Sequence, residues 1–279
     1  MPEGPEVTRV ARQLHSIVSG SFLEDTIPMS GRYIKRVPDG YHDFMSALER
    51  SALLIKGVYN KGKFIWWEFE NEWFLFCTLG MSGRYSLSKD THSRVLFSLT
   101  KSYYNTIEYL DLYYSDIRNF GTLKFVNDRN ILNKKLDSIG PDMLNNPCSV
   151  KNFVEIARKY NHKSIVSFLM NQKYISGIGN IYKSESLYLS GISPYNSVSD
   201  LSDNDLIRLH GAIIKILTES YKTGGSTIRT YKDLYGVEGS YSGSKHLVYN
   251  KKVDPNGNAI TKVILDDKRT TYFSPMCQH

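Results

Sequence analysis

The stretch "MPEGPEV" at the start of the chain puts two chemically capable residues at positions 2 and 3. Once the initiator methionine is removed, as is usual before proline, Pro2 carries the α-amino group. That amine has a pKa near ~8 against ~10.4 for lysine, so at neutral pH roughly a hundredfold more of it is unprotonated. It is a secondary amine, so its attack on an aldehyde-equivalent carbon yields a permanently cationic iminium, a strong electron sink. Glu3 offers a carboxylate one residue away that can shuttle protons for such chemistry. The same two residues also read as a plain lead-in to a helix. Pro5 suits a first helical turn, where its missing N–H costs nothing, and Glu6 complements the positive end of the helix dipole.

The elements that must position this terminus follow from periodicity. Val7, Val10, Ala11, Leu14, Ile17 and Val18 share one helical face, and Gly20 supplies a stop. Residues 21–126 read mostly as strands. "KFIWWEFENEWFLFC" gives two aromatic-rich strands around a turn at Glu70-Asn71-Glu72, and "RVLFSLT", "NTIEYLDLYY" and "FGTLKFV" continue the pattern. Short strands at such spacing suggest a sandwich or flattened barrel. Gly140-Pro141 and Asn146-Pro147 are turn signals, and helical patterns dominate from Val150 to Tyr221. A polar Gly- and Ser-rich stretch follows Gly224-Gly225. Two short strands, "HLVYNKK" and "TTYFS", close the chain, with "VILDD" between them.

The 279 residues leave room for one large or two modest domains, and an apolar fraction of 41% supports a proper core. The formal net charge of +7 points to a polyanionic partner, nucleic acid before membrane surface. Three scattered cysteines, Cys77, Cys148 and Cys277, give no disulfide framework and suggest a reducing compartment. No secretory signal is visible, and no stretch approaches the ~20 apolar residues of a membrane helix. The expectation is a soluble intracellular protein, nuclear or cytoplasmic.

Five segments, "MPEGPEV", "TLGMSG", "GPDML", "ISGIGNIYKSESL" and "RTTYFSPMCQH", resemble in order and spacing the Fpg/Nei family of DNA glycosylases. The resemblance covers nearly the whole chain. It implies an α+β fold: an N-terminal β-sandwich with an N-terminal helix over 1–130, a helical domain with a helix–two-turns–helix motif over 131–244, and a β-hairpin finger over 245–279. DNA would bind in the cleft between sandwich and helical domain. The implied activity is bifunctional. An oxidised base is excised through a Schiff base, and the strand is then cleaved by β,δ-elimination, with no cofactor. The implied partner is damaged DNA, duplex or single-stranded, bound by a monomer with no membrane association.

By the resemblance Pro2 is the nucleophile at the sugar C1′, Glu3 the acid/base, and Glu6 a support within the same motif. "KGKFIWWE" places Lys63 where the family has a catalytic lysine on a strand, with Lys61 as a nearby competitor for the role. In "GIGNIY", Gly177 and Gly179 would let the backbone approach a phosphate, and Asn180 with its helix N-terminus would donate to it. A flipped base leaves a void. Met81 of "TLGMSG" and Arg118 and Phe120 of "DIRNFG" would fill it, with Arg118 facing the orphaned base and Phe120 wedging into the stack. Without the resemblance these three read as scattered surface residues.

Many members of the family end in a four-cysteine zinc finger. Here "VYNKKVDPNGNAI" has no cysteine, and "FSPMCQH" keeps only Cys277, with Ser274 in the other position. Adding His246 and His279 does not make a structural site. The chain thus resembles the zinc-less finger of some Nei-like members, held by packing, with Arg269 of "DDKRTTYF" as the retained phosphate-clasping arginine and no metal. "MPEGPE" also lies nearer the Nei branch, associated with oxidised pyrimidines, than the Fpg branch, and hydantoins remain possible substrates. In "TYKDLYGVEGSYSGSK", Tyr231 or Tyr235 is a candidate to stack on the flipped base. Two other readings stay open: a non-catalytic damaged-DNA-binding protein of the same fold, and a basic β/α protein for RNA or a membrane surface. The first would lack Pro2 or Glu3. The second would need an RNA-recognition aromatic motif or a basic amphipathic helix, and neither is present.

Overall fold

The computed structural model describes residues 1–103, 106–226, 232–241 and 245–279. Its contacts divide the chain into two units. The first comprises Met1–Pro2, Glu6–Asp137 and Ile228–Gly239, and the second Glu3–Pro5, Ser138–Thr227 and Ser240–His279.

The first unit begins with α1 (Gly4–Val18). Val7, Val10, Ala11, Leu14 and Val18 are fully buried on its inner face, and each large apolar side chain so removed from water contributes about 1.5–3 kcal/mol. Ile17 packs at the margin of the same core. Gly20 ends this segment at φ 78°, a left-handed value that favours glycine. Then come β1 (Phe22–Pro28), the short α2 (Arg32–Lys35), α3 (Tyr41–Leu48), β2 (Leu53–Lys61), β3 (Phe64–Phe69), β4 (Trp73–Thr78), β5 (Gly83–Ser86), β6 (Ser93–Tyr103), β7 (Thr106–Asp116), β8 (Thr122–Asn127) and α4 (Arg129–Asp137).

All eight strands pair antiparallel in the order β5-β7-β6-β1-β2-β3-β4-β8. Between β1 and β2 the ladder holds only the pairs Phe22↔Leu54 and Leu23↔Leu53. There the sheet turns over on itself as a sandwich. Trp67 of β3 stacks on Phe97 of β6 with ring centroids 5.4 Å apart, and Tyr85 of β5 lies 5.9 Å from Trp67. The expected turn at 70–72 is present, with Asn71 and Glu72 at φ 53° and 58°. Two successive left-handed residues match the twist of a tight hairpin.

The second unit is helical: α5 (Val150–Lys159), α6 (Ile165–Met170), α7 (Asn180–Ser190) and α8 (Asp203–Lys222). Serines 149, 164 and 202 cap α5, α6 and α8 by accepting from the backbone three residues on. Helix α7 is enclosed nearly all round. Lys183 and Glu185 are as buried as Ile181 and Leu187.

The hairpin β9 (Thr261–Ile264) and β10 (Thr270–Phe273) closes the chain. "TTYFS" is thus a strand as expected, but its partner is not "HLVYNKK", which is irregular. The reason is a buried carboxylate. Glu185 accepts the backbone N–H groups of Leu247, Val248 and Tyr249 at 2.7, 2.9 and 2.7 Å, so those donors do not need a ladder. The paired strand comes instead from "TKVI". Among the described residues no helix is long and apolar enough to cross a membrane.

Candidate active site

Glu3 is buried, and its carboxylate sits on the N-terminus of α7. Ile181 N–H donates to Oε1 at 3.0 Å and Tyr182 N–H to Oε2 at 3.4 Å. Four helix amides lack intrahelical partners at such an end, and the dipole there favours an anion. Two glycines make the approach possible. A Cβ on Gly179 would stand 2.2 Å from the Glu3 carboxyl carbon. Gly4 donates its N–H to the Gly177 carbonyl at 2.8 Å, and a Cβ on Gly4 would stand 2.9 Å from that same oxygen. What the absence of a Cβ at Gly179 makes room for here is the chain's own Glu3, and Gly4 lies directly against Gly177. Gln172, which the sequence did not single out, braces the preceding turn: its amide donates to the Ile178 carbonyl at 2.9 Å and its oxygen accepts the Gly177 N–H at 3.0 Å. Asn180 follows on α7, and its amide donates to the Thr270 carbonyl of β10 at 2.9 Å.

In the first unit Pro2 and Glu6 are both buried at the start of α1. Lys63 stands in the two-residue turn Gly62-Lys63 that joins β2 to β3, not within a strand. The pair Lys61↔Phe64 closes the hairpin, and Gly62 takes φ 56° to turn it. Lys61 donates its ammonium to the Leu136 carbonyl at 2.8 Å, a structural tie to the end of α4. On the polar face of α1, Arg9 and Gln13 donate to Asp233 at 3.1 and 2.9 Å. The Asp233 carboxylate also accepts the N–H groups of Tyr235 and Val237. Burial would raise its pKa, but the bonds from Gln13, Val237 and Arg9 outweigh that and hold it below the ordinary range. Tyr235 is thereby presented in an exposed position, and Tyr231 lies outside the described residues.

Met81, Arg118 and Phe120 come together on two adjoining loops of the first unit. The organiser is Asp116, a buried carboxylate invisible as such in the sequence. It accepts Ser82 Oγ at 2.5 Å, Arg118 N–H at 3.2 Å and Gly121 N–H at 2.8 Å. A Cβ on Gly80 would stand 2.7 Å from the Gly121 nitrogen, so the loops meet backbone to backbone. Phe120 is 55% exposed, with the Arg118 guanidinium 4.8 Å above its ring. An exposed aromatic under a cation, on a turn fixed by hydrogen bonds, is suited to entering a base stack.

The hairpin carries Arg269, exposed just before β10. At the C-terminal hairpin, where the resemblance would place zinc ligands, a hydrogen-bonded knot centres on Asp254. Its Oδ2 accepts Ser274 Oγ at 2.8 Å, Asn258 Nδ2 at 3.1 Å and Cys277 Sγ at 3.3 Å, and its Oδ1 accepts the N–H groups of Asn256 and Asn258, both at 2.9 Å. Burial pushes this carboxyl up, but the donors from Asn258, Ser274 and Cys277 pull it well below the ordinary carboxylate value. Structural zinc takes thiolates and imidazoles. A thiol, a hydroxyl, an amide and one carboxylate bonded to each other do not fit that ion, so the turn is held by this polar knot rather than by packing alone. His246 belongs to no group of His, Cys, Asp and Glu among the described residues that could hold a metal ion. It is buried against Tyr241 and Tyr249, shares a 3.0 Å hydrogen bond with Ser226 Oγ, and is pushed down to about 4 by burial.

Comparison with known proteins agrees with this architecture. The formamidopyrimidine-DNA glycosylase N-terminal domain matches residues 1–123, and the formamidopyrimidine-DNA glycosylase H2TH domain matches residues 139–232. The formamidopyrimidine-DNA glycosylase of Bacillus anthracis is 32% identical over 287 residues, spanning 100% of this chain and 99% of the relative. Among solved structures, a Lactococcus lactis FPG mutant in complex with a Fapy-dG containing DNA is 29% identical, with a TM-score of 0.85 and full coverage of both chains. The wild-type Lactococcus lactis FPG in complex with an oxidised pyrimidine containing DNA is 27% identical, with a TM-score of 0.82, again over both whole chains. With both domains matched and a relative alike from end to end, this chain belongs to the formamidopyrimidine-DNA glycosylase family.

Proposed function

We propose that this protein is a bifunctional DNA glycosylase and abasic-site lyase of base excision repair. It excises oxidised bases through a Schiff base at Pro2 and then cleaves the strand by β,δ-elimination. The observation that carries this reading is the Glu3 carboxylate. It is buried, directly follows the proline that can bear the α-amino group, and is held by two amides of α7. A carboxylate so fixed is preorganised for proton transfer. Attack of the Pro2 nitrogen on C1′ breaks the bond to the base, which departs with a proton while the amine gives up its N–H proton; the C1′–O4′ bond then opens, with a proton delivered to O4′, and leaves an iminium between Pro2 and C1′. The iminium acidifies the neighbouring C–H, so the strand breaks by elimination rather than hydrolysis. No cofactor is needed.

The roles of the other residues follow on the same footing. Lys63 touches phosphate and lesion, since the competing Lys61 is tied to the α4 carbonyl. Arg118, Phe120 and Met81 fill the void left by the flipped nucleotide, supported by the way Asp116 ties their two loops together through Ser82, Arg118 and Gly121. Asn180 and Arg269 take the phosphates flanking it, with Gly179 and Glu6 shaping the site. Favoured lesions are oxidised pyrimidines, with formamidopyrimidines and hydantoins alongside. An oxidised pyrimidine in the DNA bound by the Lactococcus lactis relative is compatible with that range. The Nei-like placement rests on "MPEGPE" and on the zinc-less hairpin, since the relatives above carry the formamidopyrimidine name. The protein acts as an intracellular monomer.

Borohydride trapping on a duplex containing thymine glycol tests the mechanism. A covalent protein–DNA adduct is expected, and a tag retained before Pro2 should abolish both adduct and strand cleavage. Normal turnover with a blocked N-terminus would sink the reading.

A further inference from the structure

Lys183 lies on the first turn of α7 with its side chain completely enclosed. Its ammonium donates to Oδ2 of Asp267, whose side chain is only 3% exposed. Desolvating two charges costs about as much as their attraction returns, so a buried pair is weak evidence of stabilisation; what it can supply is fixed geometry. The geometry here is specific. The second oxygen of Asp267, Oδ1, accepts the backbone N–H of Arg269 at 3.1 Å. One carboxylate therefore grips the DNA-motif helix with one oxygen and the arginine's own backbone with the other.

The rest of the tip is fixed in the same direction. Asp266 accepts Ser164 Oγ and Ser167 Oγ of α6 at 2.6 and 2.8 Å, and Lys268 turns the chain at φ 55°. Between two pinned aspartates and β10, Arg269 lies exposed with its charged fork. The surroundings of Lys183 agree. Burial lowers its pKa, and Asp267 first and then Glu3 oppose that shift, while Arg269 adds to it. The two groups holding the ammonium charged are thus the tip carboxylate and the carboxylate on the α7 amides.

We propose that Lys183 is a positioning residue for lesion recognition, acting through Asp267 to set the backbone of Arg269 so that its guanidinium meets the phosphates. This rests on the reading of Arg269 as a phosphate ligand. The role is distinct from fold maintenance, because the ion pair orders a solvent-facing arginine rather than a core.

The test is a set of dissociation constants for duplex DNA carrying a stable abasic analogue, taken across salt concentrations with melting temperatures alongside. Lys183→Met and Asp267→Asn should each raise the Kd by about tenfold, the lower end of what a charge-assisted phosphate contact is worth. In an Arg269→Ala background neither should add a further loss, since the arginine they position is gone. A role confined to stability would lower melting without moving the Kd. Should Lys183→Met fail to fold, Asp267→Asn carries the test, because it keeps shape and volume. An unchanged Kd in Asp267→Asn beside an impaired Arg269→Ala overturns the assignment of Lys183 alone, as do losses that multiply. An unchanged Kd in Arg269→Ala overturns the phosphate reading, and this assignment with it.

Discussion

Gly179→Ala tests the link between the N-terminal segment and α7 with a single methyl group. Gly179 precedes α7 in an extended conformation, φ −133° and ψ −159°, which alanine adopts without backbone strain. The substitution therefore acts only through the space it fills. Its Cβ would lie 2.2 Å from the carboxyl carbon of Glu3, 2.5 Å from Oε1 and 2.6 Å from Cγ. Ordinary contact begins near 3.4 Å, so the carboxylate must withdraw by about 1 Å, and a misplacement of that size costs a reaction roughly a hundredfold. It also strains or breaks the bonds from Ile181 and Tyr182, each in the range of about 1.5–3 kcal/mol for a charged acceptor.

The assay is single-turnover base release from a thymine glycol duplex, run beside nicking of a pre-formed abasic site. Base release should fall by about two orders of magnitude. Nicking should fall less, because iminium formation at an abasic site does not await departure of a base. Glu3→Asp in the same background shortens the side chain by one methylene and should recover part of the loss. Wild-type base release by Gly179→Ala would refute the reasoning, since it would mean that Glu3 need not occupy the α7 amides for the chemistry to run.

Asp254→Ala should loosen the β9–β10 hairpin, seen as faster amide exchange at Thr261–Ile264 with α8 unaffected, while chelators leave activity and melting unchanged; one equivalent of bound zinc would contradict the knot. Alanine at Met81, Arg118 or Phe120 should impair lesion processing in duplex far more than in single strands, and equal losses on both would argue for packing instead. Stability should fall as pH drops from about 6.5 to about 4, because the unfolded chain takes up a proton at His246 in that window and the folded chain does not. The contribution is fully present above pH 6.5 and amounts to at most about 3 kcal/mol; a His246→Phe variant whose melting curve keeps the same pH slope would exclude it.

Much of the fold could be read from local pattern, because its signals are local. The apolar stripe from Val7 to Val18 and the aromatic strands either side of Asn71-Glu72 each need only a few neighbouring residues to be recognised. The error at "HLVYNKK" has a non-local cause. Val248 and Tyr249 have strand-like side chains, but what a strand needs is a partner for its amides, and Glu185 reaches them from more than sixty residues away. The resemblance places Lys63 on a strand, but Gly62 takes a left-handed conformation and the Lys61↔Phe64 pair closes the hairpin, which leaves Lys63 in the turn.

The organisers of the candidate site were hidden for a related reason. Asp116, Asp233 and Asp254 look in sequence like ordinary loop aspartates, which usually face water. Each instead collects two backbone N–H groups of its own loop together with side chains distant in the chain, Ser82 for Asp116, Arg9 and Gln13 for Asp233, and Ser274 and Cys277 for Asp254. Helix α7 extends the argument. In "NIYKSESLYLSG" Lys183 and Glu185 point to different sides of the helix, yet both are enclosed, and each secures a segment with little regular structure of its own. Glu185 takes the amides of 247–249, Lys183 takes the tip that bears Arg269, and the N-terminal amides of the same helix take Glu3. A residue that positions others in this way carries no motif, because its function is defined by what it reaches. Only the receiving end, the proline, the glutamate and the arginine, has chemistry that a sequence displays.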